Sequence, residues 1–348
     1  MPFIDDHTPR VRRAPRACVS RFALSLALFP LAFGAGCSDE SASPVAPATL
    51  PVPSLGVNNG GNNRRILFTR EGSIYSMNPD GTGVTQLTTA AVDPSIVFDQ
   101  APAWSPDGKR VAFVRFDSSD PSGDIYVMDA DGRNVSRVTN SPGNDLSPTW
   151  SKDGKRIAFV STRGDASPSN ASSQAWDIYA MDLDGNNVIR LTNTSGADFD
   201  PAWSPDGKQI AFVSGRDAGG QNVTDLYTVT LDGLLVTRLT NEGANVLDPS
   251  WAPGGKQIAF TGGDFEASNT DVFVVNADGT QLTRITDGPD TAGSDLAPSW
   301  SPDGKQIAFT SSRANGNIFE VYIMNANGTA VTRLTRTTVD NFDPAWNR

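Results

Sequence analysis

Tryptophan recurs along this chain at nearly even intervals, and that spacing restricts the possible folds more than any other feature. Trp104, Trp150, Trp203, Trp251, Trp300 and Trp346 are separated by 46, 53, 48, 49 and 46 residues. Five of them are followed by one phrase: Ser105-Pro106-Asp107-Gly108-Lys109, Ser151 to Lys155, Ser204 to Lys208, Ala252 to Lys256 and Ser301 to Lys305. Two residues later an apolar run begins, as at Val111-Ala112-Phe113 or Ile157-Ala158-Phe159. A second run, such as Asp124-Ile125-Tyr126-Val127, ends in a turn like Asp131-Gly132, Asp184-Gly185 or Asp278-Gly279. A last strand, for example Val188-Ile189-Arg190-Leu191-Thr192, closes the unit. A fixed period in this range marks repeated units that bury their faces against one another.

The turn chemistry defines the unit. Asp-Gly supplies the positive φ of tight hairpins. In Pro-Asp-Gly, proline presets φ and glycine takes the strained position. Each unit therefore predicts four short strands, and a four-stranded sheet of this repeat length is a propeller blade. The fold class expected over residues 64–348 is an all-β, six-bladed propeller. The strand Ile66–Phe68 has no tryptophan strand before it, and the strand Phe342–Trp346 has no partner after it. The ring closes if the C-terminal strand joins the N-terminal blade as its innermost strand, which removes a free edge. The tryptophans and the Ile-x-Phe pairs are expected to fill the gaps between blades.

These phrases resemble the WD40-like repeat of TolB-type β-propellers, a repeat also found in the propellers of prolyl-oligopeptidase-like proteins. The resemblance extends over all six units. It implies a six-bladed ring, and because no hydrolase domain follows the repeats it does not imply peptidase activity. The Gly-His and Trp-Asp dipeptides of true WD40 blades do not recur from unit to unit, and the sialidase Asp-box spacing does not match.

The N-terminal stretch has a different character. Arg10, Arg12, Arg13, Arg16 and Arg21 precede an apolar run from Phe22 to Phe33, then Gly34-Ala35-Gly36-Cys37. A basic region, a short apolar core and small residues before a cut site make an export signal. The core is too short for a permanent span. Small residues before Cys37 and Ser38 after it resemble a bacterial lipobox, which implies cleavage before Cys37 and lipid on that residue. Residues 1–36 are thus expected to be a lipoprotein-type signal peptide. Residues 37–63, rich in Pro, Gly, Ser and Asn, are expected to be a flexible tether.

Charge and composition exclude several functions. The chain has 39 acidic and 28 basic side chains, a net charge of −11. Without residues 1–36, 37 acidic and 23 basic remain, a net of −14. That argues against a nucleic-acid partner, which needs clustered Lys and Arg. The only histidine, His7, lies in the expected signal. Its removal excludes histidine-based nucleophilic or acid–base catalysis and histidine–zinc chemistry. Cys18 would leave with the signal, so no disulfide is expected.

Acidic residues recur just ahead of the tryptophans. Five positions before stand Asp99, Asp145, Asp198 and Asp295, with Asn341 in the last unit; three positions before stand Asp200, Asp248 and Asp343. Separated by two, these positions are expected on one face of a strand, ringing the mouth of the central channel. Such a ring suits a cation, calcium by its oxygen ligands, or the basic tip of a partner. The other reading is that each Asp caps its own turn or pairs with an arginine. Arg70, Arg115, Arg163, Arg216 and Arg313 recur near the same rim, where ion pairs between blades are expected. Trp176, outside the repeat, either anchors a partner or covers the edge of its own blade.

The function expected from these features is that of a non-catalytic, monomeric lipoprotein of the bacterial cell envelope. It is anchored by Cys37 on the periplasmic or outer-membrane side. Its loop rim and acidic channel mouth bind an envelope protein or a peptidoglycan-associated partner, and no cofactor beyond possible calcium is implied. The alternatives are a carboxylate-based carbohydrate-active or other hydrolytic enzyme and a calcium- or solute-binding propeller.

Overall fold

The Ser-Pro-Asp-Gly-Lys phrase folds as a self-contained turn. Ser105 Oγ donates to Asp107 Oδ1 at 2.7 Å and accepts the Arg110 amide at 2.9 Å. The Lys109 amide donates to Asp107 Oδ1 at 3.1 Å, and Gly108 has φ +66°. The same bonds recur around Asp153, Asp206 and Asp303. Because the turn satisfies its own polar groups, it reverses the chain identically each time. The structure is a computed structural model. It describes residues 64–347 apart from 90–95, 119–121, 165–175, 195, 218–222, 233–234, 242–244, 265–268, 287–292 and 315–317. The expected signal 1–36, Cys37 and the stretch to residue 63 lie outside the described residues.

Between these turns run 24 strands, with no helix among the described residues. The N-terminal blade holds β1 (Ile66–Arg70), β2 (Ser73–Met77) and β3 (Thr85–Gln86). The second holds β4 (Ile96–Trp104), β5 (Arg110–Asp117), β6 (Asp124–Asp129) and β7 (Ser136–Arg137). The third holds β8 (Asp145–Trp150), β9 (Arg156–Ser161), β10 (Asp177–Asp182) and β11 (Ile189–Arg190). The fourth holds β12 (Asp198–Trp203), β13 (Gln209–Ser214), β14 (Asp225–Thr230) and β15 (Val236–Arg238). The fifth holds β16 (Asn245–Trp251), β17 (Gln257–Asp264), β18 (Asn269–Asn276) and β19 (Thr283–Arg284). The sixth holds β20 (Asp295–Trp300), β21 (Gln306–Ser311), β22 (Glu320–Asn325) and β23 (Thr332–Arg333). The C-terminal strand β24 (Asn341–Trp346) completes the N-terminal blade in the order β24-β1-β2-β3.

Six four-stranded antiparallel sheets result. Trp346 pairs with Ile66 and Asn341 with Arg70, so the last strand closes the first blade as the sequence predicts. The innermost strands touch their neighbours all the way round, including β24 against β4. The chain is an all-β six-bladed propeller.

The apolar core lies between the blades. Ala112 and Ile125 of the second blade pack on Trp150, Ile157 and Phe159 of the third. At the closure, Ile66, Phe68 and Trp346 pack on Ala308 and Val321 of the sixth. Trp150 and Trp251 also donate their indole N–H to Ala103 and Ala202 carbonyls of the preceding blade, both at 3.0 Å. Each tryptophan therefore adds a large buried apolar area and, in these two, a bond across the gap. The hairpin glycines serve the same contact. Gly132 has φ +87°, and a Cβ there would stand 2.4 Å from the Leu87 carbonyl oxygen of the preceding blade.

Trp346→Ala opens a cavity at the closing blade and is expected to cost about 3–5 kcal/mol. Urea unfolding checks this, with the exposed Val188→Ala as a reference expected within about 0.5 kcal/mol of the parent.

Candidate functional site

Four-stranded blades place the turns after the first and third strands at one end of the ring and the loops after the second and fourth at the other. The acidic residues before the tryptophans stand at this second end, the loop face. Those five positions before are each bound by an arginine. Asp99 is bound by Arg115 through Nε at 2.7 Å and Nη2 at 2.9 Å. Asp145 is bound by Arg163 at 2.7 Å and by the Ser161 and Ser141 hydroxyls. Arg216 reaches both oxygens of Asp198 at 3.0 Å, and Arg313 reaches Asp295 at 2.6 Å. Asn341 accepts from Arg70 at 2.7 Å. Each arginine also lies over two rings of its own blade, as Arg115 does over Phe113 and Tyr126. The pairs lie within a blade, not between blades as the sequence had suggested. Strand order explains this: the acid sits on the innermost strand and the arginine at the end of the adjoining one.

The fifth blade departs from the pattern. Val246 stands where the others have Asp or Asn, and Gly262-Gly263 stands where an arginine would follow. The aromatic pair remains as Phe260 stacked on Phe273.

The acids three positions before the tryptophans are arranged differently. Asp200, Asp248 and Asp343 have φ of 48°, 53° and 52°, and Ala101, Ser147 and Ala297 take the same conformation in the other blades. The pairing register shifts at this point in every blade. A bulge with a left-handed residue breaks the alternation, so the two acidic positions do not share a face. The first points to its arginine, and the second lines the ring interior. Asp200 accepts from the Ser147 hydroxyl and the Asp248 amide, both at 3.3 Å, joining three successive blades. Asp248 accepts from Thr261 at 3.0 Å.

These three carboxyls feel one another. Desolvation first, then the charges of Asp200 and Asp343, push Asp248 up to about 8. Desolvation raises Asp200 and lifts Asp343 to about 6, with the Asp200 charge adding to the latter. No group of three or more His, Cys, Asp or Glu among the described residues is arranged to hold a metal ion.

A second set of acids, repeated once per blade from the second to the sixth, serves the blades structurally, through arginine partners that the sequence alone did not show. Asp124, Asp177, Asp225, Asp271 and Glu320 are bound by Arg137, Arg190, Arg238, Arg284 and Arg333 of the outermost strands. The recurring Arg-Leu-Thr phrase was the signal available for them. Its threonine also bonds the acid, as Thr139 does Asp124 at 3.1 Å. Trp176 packs beside Phe199 of the next blade, centroids 6.3 Å apart, and against the Phe116–Leu146 cluster. It thus bridges neighbouring blades; most of its loop, 165–175, lies outside the described residues.

A closed ring of six sheets, built from tryptophan-terminated inner strands and Pro-Asp-Gly turns, defines a repeat-built six-bladed β-propeller. A family model described as the TolB β-propeller domain matches residues 84–169, 168–267 and 248–348. The chain belongs to that family. It is 34% identical over 158 residues to a protein TolB homolog of Chlorobium luteolum, covering 45% of this chain and 32% of that protein. It is 36% identical over 161 residues to the Tol-Pal system protein TolB of Bordetella pertussis, covering 45% and 33%. The chain thus spans about a third of the curated relatives it matches. Among solved structures, TolB from Acinetobacter baumannii superposes with TM-score 0.66 at 25% identity, over 81% of this chain and 66% of that one. An oligogalacturonate lyase from Vibrio parahaemolyticus shares the fold at TM-score 0.52 and 12% identity, over 76% of this chain and 72% of that one.

Asp198→Ala leaves Arg216 partly buried without its partner and is expected to cost about 3 kcal/mol, read by urea unfolding. The channel carboxyls give a pH dependence of definite sign. A raised folded pKa means the native state holds protons that the unfolded chain has released, so stability falls as pH rises from about 4 to about 8. The slope from one such group is at most about 1.4 kcal/mol per pH unit. Asp248→Asn is expected to flatten the upper part of that profile in thermal melts.

Proposed function

We propose that this chain is an exported, lipid-anchored, non-catalytic protein that holds a protein partner of the cell envelope against its loop face. The partner is an envelope protein or one associated with peptidoglycan, and the lipid is carried by Cys37. The observation that carries this reading is the contrast between the two ends of a rigid ring. The turns at one end repeat almost unchanged. The loops between second and third strands range from Glu71-Gly72 to residues 162–176. Variable loops on an unvarying scaffold are where binding specificity resides. The similarity to the Tol-Pal system protein TolB of Bordetella pertussis supports an envelope role. The channel carboxyls of Asp200, Asp248 and Asp343 suit the basic tip of such a partner, since no arginine among the described residues engages them.

A carboxylate-based, carbohydrate-active enzyme is the second reading. The observation favouring it is Asp248, raised to about 8 beside Asp200, because acid–base catalysis uses carboxyls whose environments differ. Affinity capture from envelope extracts separates the two. Wild type is expected to retain a partner that Asp200→Asn/Asp248→Asn/Asp343→Asn loses at least tenfold. Equal recovery removes the channel from binding, and turnover of an oligosaccharide panel abolished by Asp248→Asn favours the enzyme. Metabolic palmitate labelling that disappears in Cys37→Ala checks the anchor.

A further inference from the structure

One buried hydroxyl in the channel wall has no hydrogen-bond partner among the described residues. Beside each bulge, the adjoining strand carries Thr69, Val114, Val160, Val213, Thr261 and Thr310, in blade order from the N-terminal blade. Thr261 shows where this side chain points. Its hydroxyl donates to Asp248 at 3.0 Å and accepts from the Ala297 amide at 3.0 Å, so it faces the bulge ring. Thr69 stands beside Asp343 in the same way. In the sixth blade the bulge residue is Ala297, whose side chain offers no acceptor. Thr310 Oγ1 is fully buried there and is left unbonded. Valine fills the same place in three blades, so packing does not require a hydroxyl at Thr310. An unpaired buried hydroxyl is unfavourable until some atom reaches it.

The channel carboxyls lie on the same arc. Asp200, Asp248 and Asp343 belong to the fourth, fifth and N-terminal blades, so with Thr310 they span four consecutive blades. The second and third blades put Ala101 and Ser147 at the bulge. All six bulge residues are partly exposed, so water enters the channel between them. Each carboxyl is pinned by a main-chain amide of the following blade: Asp200 by Asp248, Asp248 by Ala297 and Asp343 by Ala101. The Ser147 and Thr261 hydroxyls take further lone pairs of Asp200 and Asp248. No carboxyl of the three therefore offers both oxygens free, side by side.

That geometry selects among cations. A guanidinium is a planar fork that matches both oxygens of one carboxylate. Calcium draws about six to eight oxygens to one point, and no group of three or more acids among the described residues is arranged to hold a metal ion. A quaternary ammonium has no N–H to donate. A primary ammonium is a compact charge with three donors. It suits single oxygens on different sides of it, together with the unbonded oxygen of Thr310.

We propose that the channel is a primary-ammonium site, in which Asp200, Asp248 and Asp343 hold the charge and Thr310 Oγ1 accepts one of the N–H groups. The ligand is an aliphatic amine, either free or the side chain of a partner's lysine. The second source rests on the reading of the loop face as a partner site; the amine affinity itself does not. Binding moves a proton. Desolvation, then the charges of Asp200 and Asp343, push Asp248 up to about 8, so it is protonated at neutral pH. Those two acids are the titratable groups facing it among the described residues; Ala101, Ser147 and Ala297 complete the ring. An entering cation reverses the shift, and the proton leaves to solvent.

Isothermal titration of the full chain with n-pentylamine at pH 7 and low salt is expected to show saturable binding. Buffers of different ionisation enthalpy are expected to report release of up to about one proton per amine. n-Pentylguanidine and tetramethylammonium are each expected to bind at least tenfold more weakly. Thr310→Val, which copies the residue of three other blades, is expected to weaken the amine severalfold without changing the thermal melt. Asp343→Asn is expected to weaken it at least tenfold, with a cooperative melt establishing its fold. Excess pentylamine that displaces a captured partner assigns the ammonium to a partner lysine. Saturable binding without displacement assigns it to a free amine, and both results support the site. No binding by the parent, equal binding of the guanidine, unchanged affinity in Thr310→Val, or calcium held more tightly than the amine overturns the proposal. Failure to capture any partner removes the envelope reading alone and leaves the titration standing.

Discussion

Everything in this molecule depends on β24 taking the innermost place in the N-terminal blade. A linear array of six sheets would leave an apolar flank open at each end. The closed ring leaves none, because Trp346, Ile66 and Phe68 meet the sixth blade as each other tryptophan meets its own neighbour. The tethering is non-covalent and distributed: one strand ladder, one aromatic side chain and two faces of small aliphatics. Such a closure joins residues almost 300 apart in sequence, so its loop-closure entropy has to be offset by cooperative burial.

The ring then divides labour between its polar groups. One set of acids is spent on holding arginines in place over aromatic pairs, and a second set holds the arginines of the outer strands. These groups are buried, paired and repeated, and they brace the blades rather than recruit ligands. The carboxyls at the bulge are different: three of six positions, no arginine partner among the described residues, and mutual repulsion within a desolvated channel. Electrostatic strain concentrated at one mouth, together with loops of unequal length, is what distinguishes the loop face from a purely structural end.

Much of the fold was legible in the sequence because its signals are local and repeated. Trp spacing, Pro-Asp-Gly turns and Asp-Gly hairpins each specify backbone geometry over a few residues, and six copies make the period unmistakable. The site was less legible. Reading alternation through Asp198 and Asp200 assumed a regular strand, yet proline follows the bulged residue in every blade, as in Asp200-Pro201, Asp248-Pro249 and Asp343-Pro344. Proline inside a strand belongs at an edge or a bulge, and that signal was present. The arginine partners were visible as a recurring residue, but the choice between pairing within and between blades needed strand order. Trp176 was beyond reach, since its packing on Phe199 depends on how two blades sit side by side.

Amide hydrogen exchange along β24 tests the closed ring most directly. The account predicts that the amides of Phe342 to Trp346, proline excepted, exchange as slowly as those of β8 and β12, and open only with the whole propeller. Rapid exchange of that segment while the other blades stay protected would contradict it.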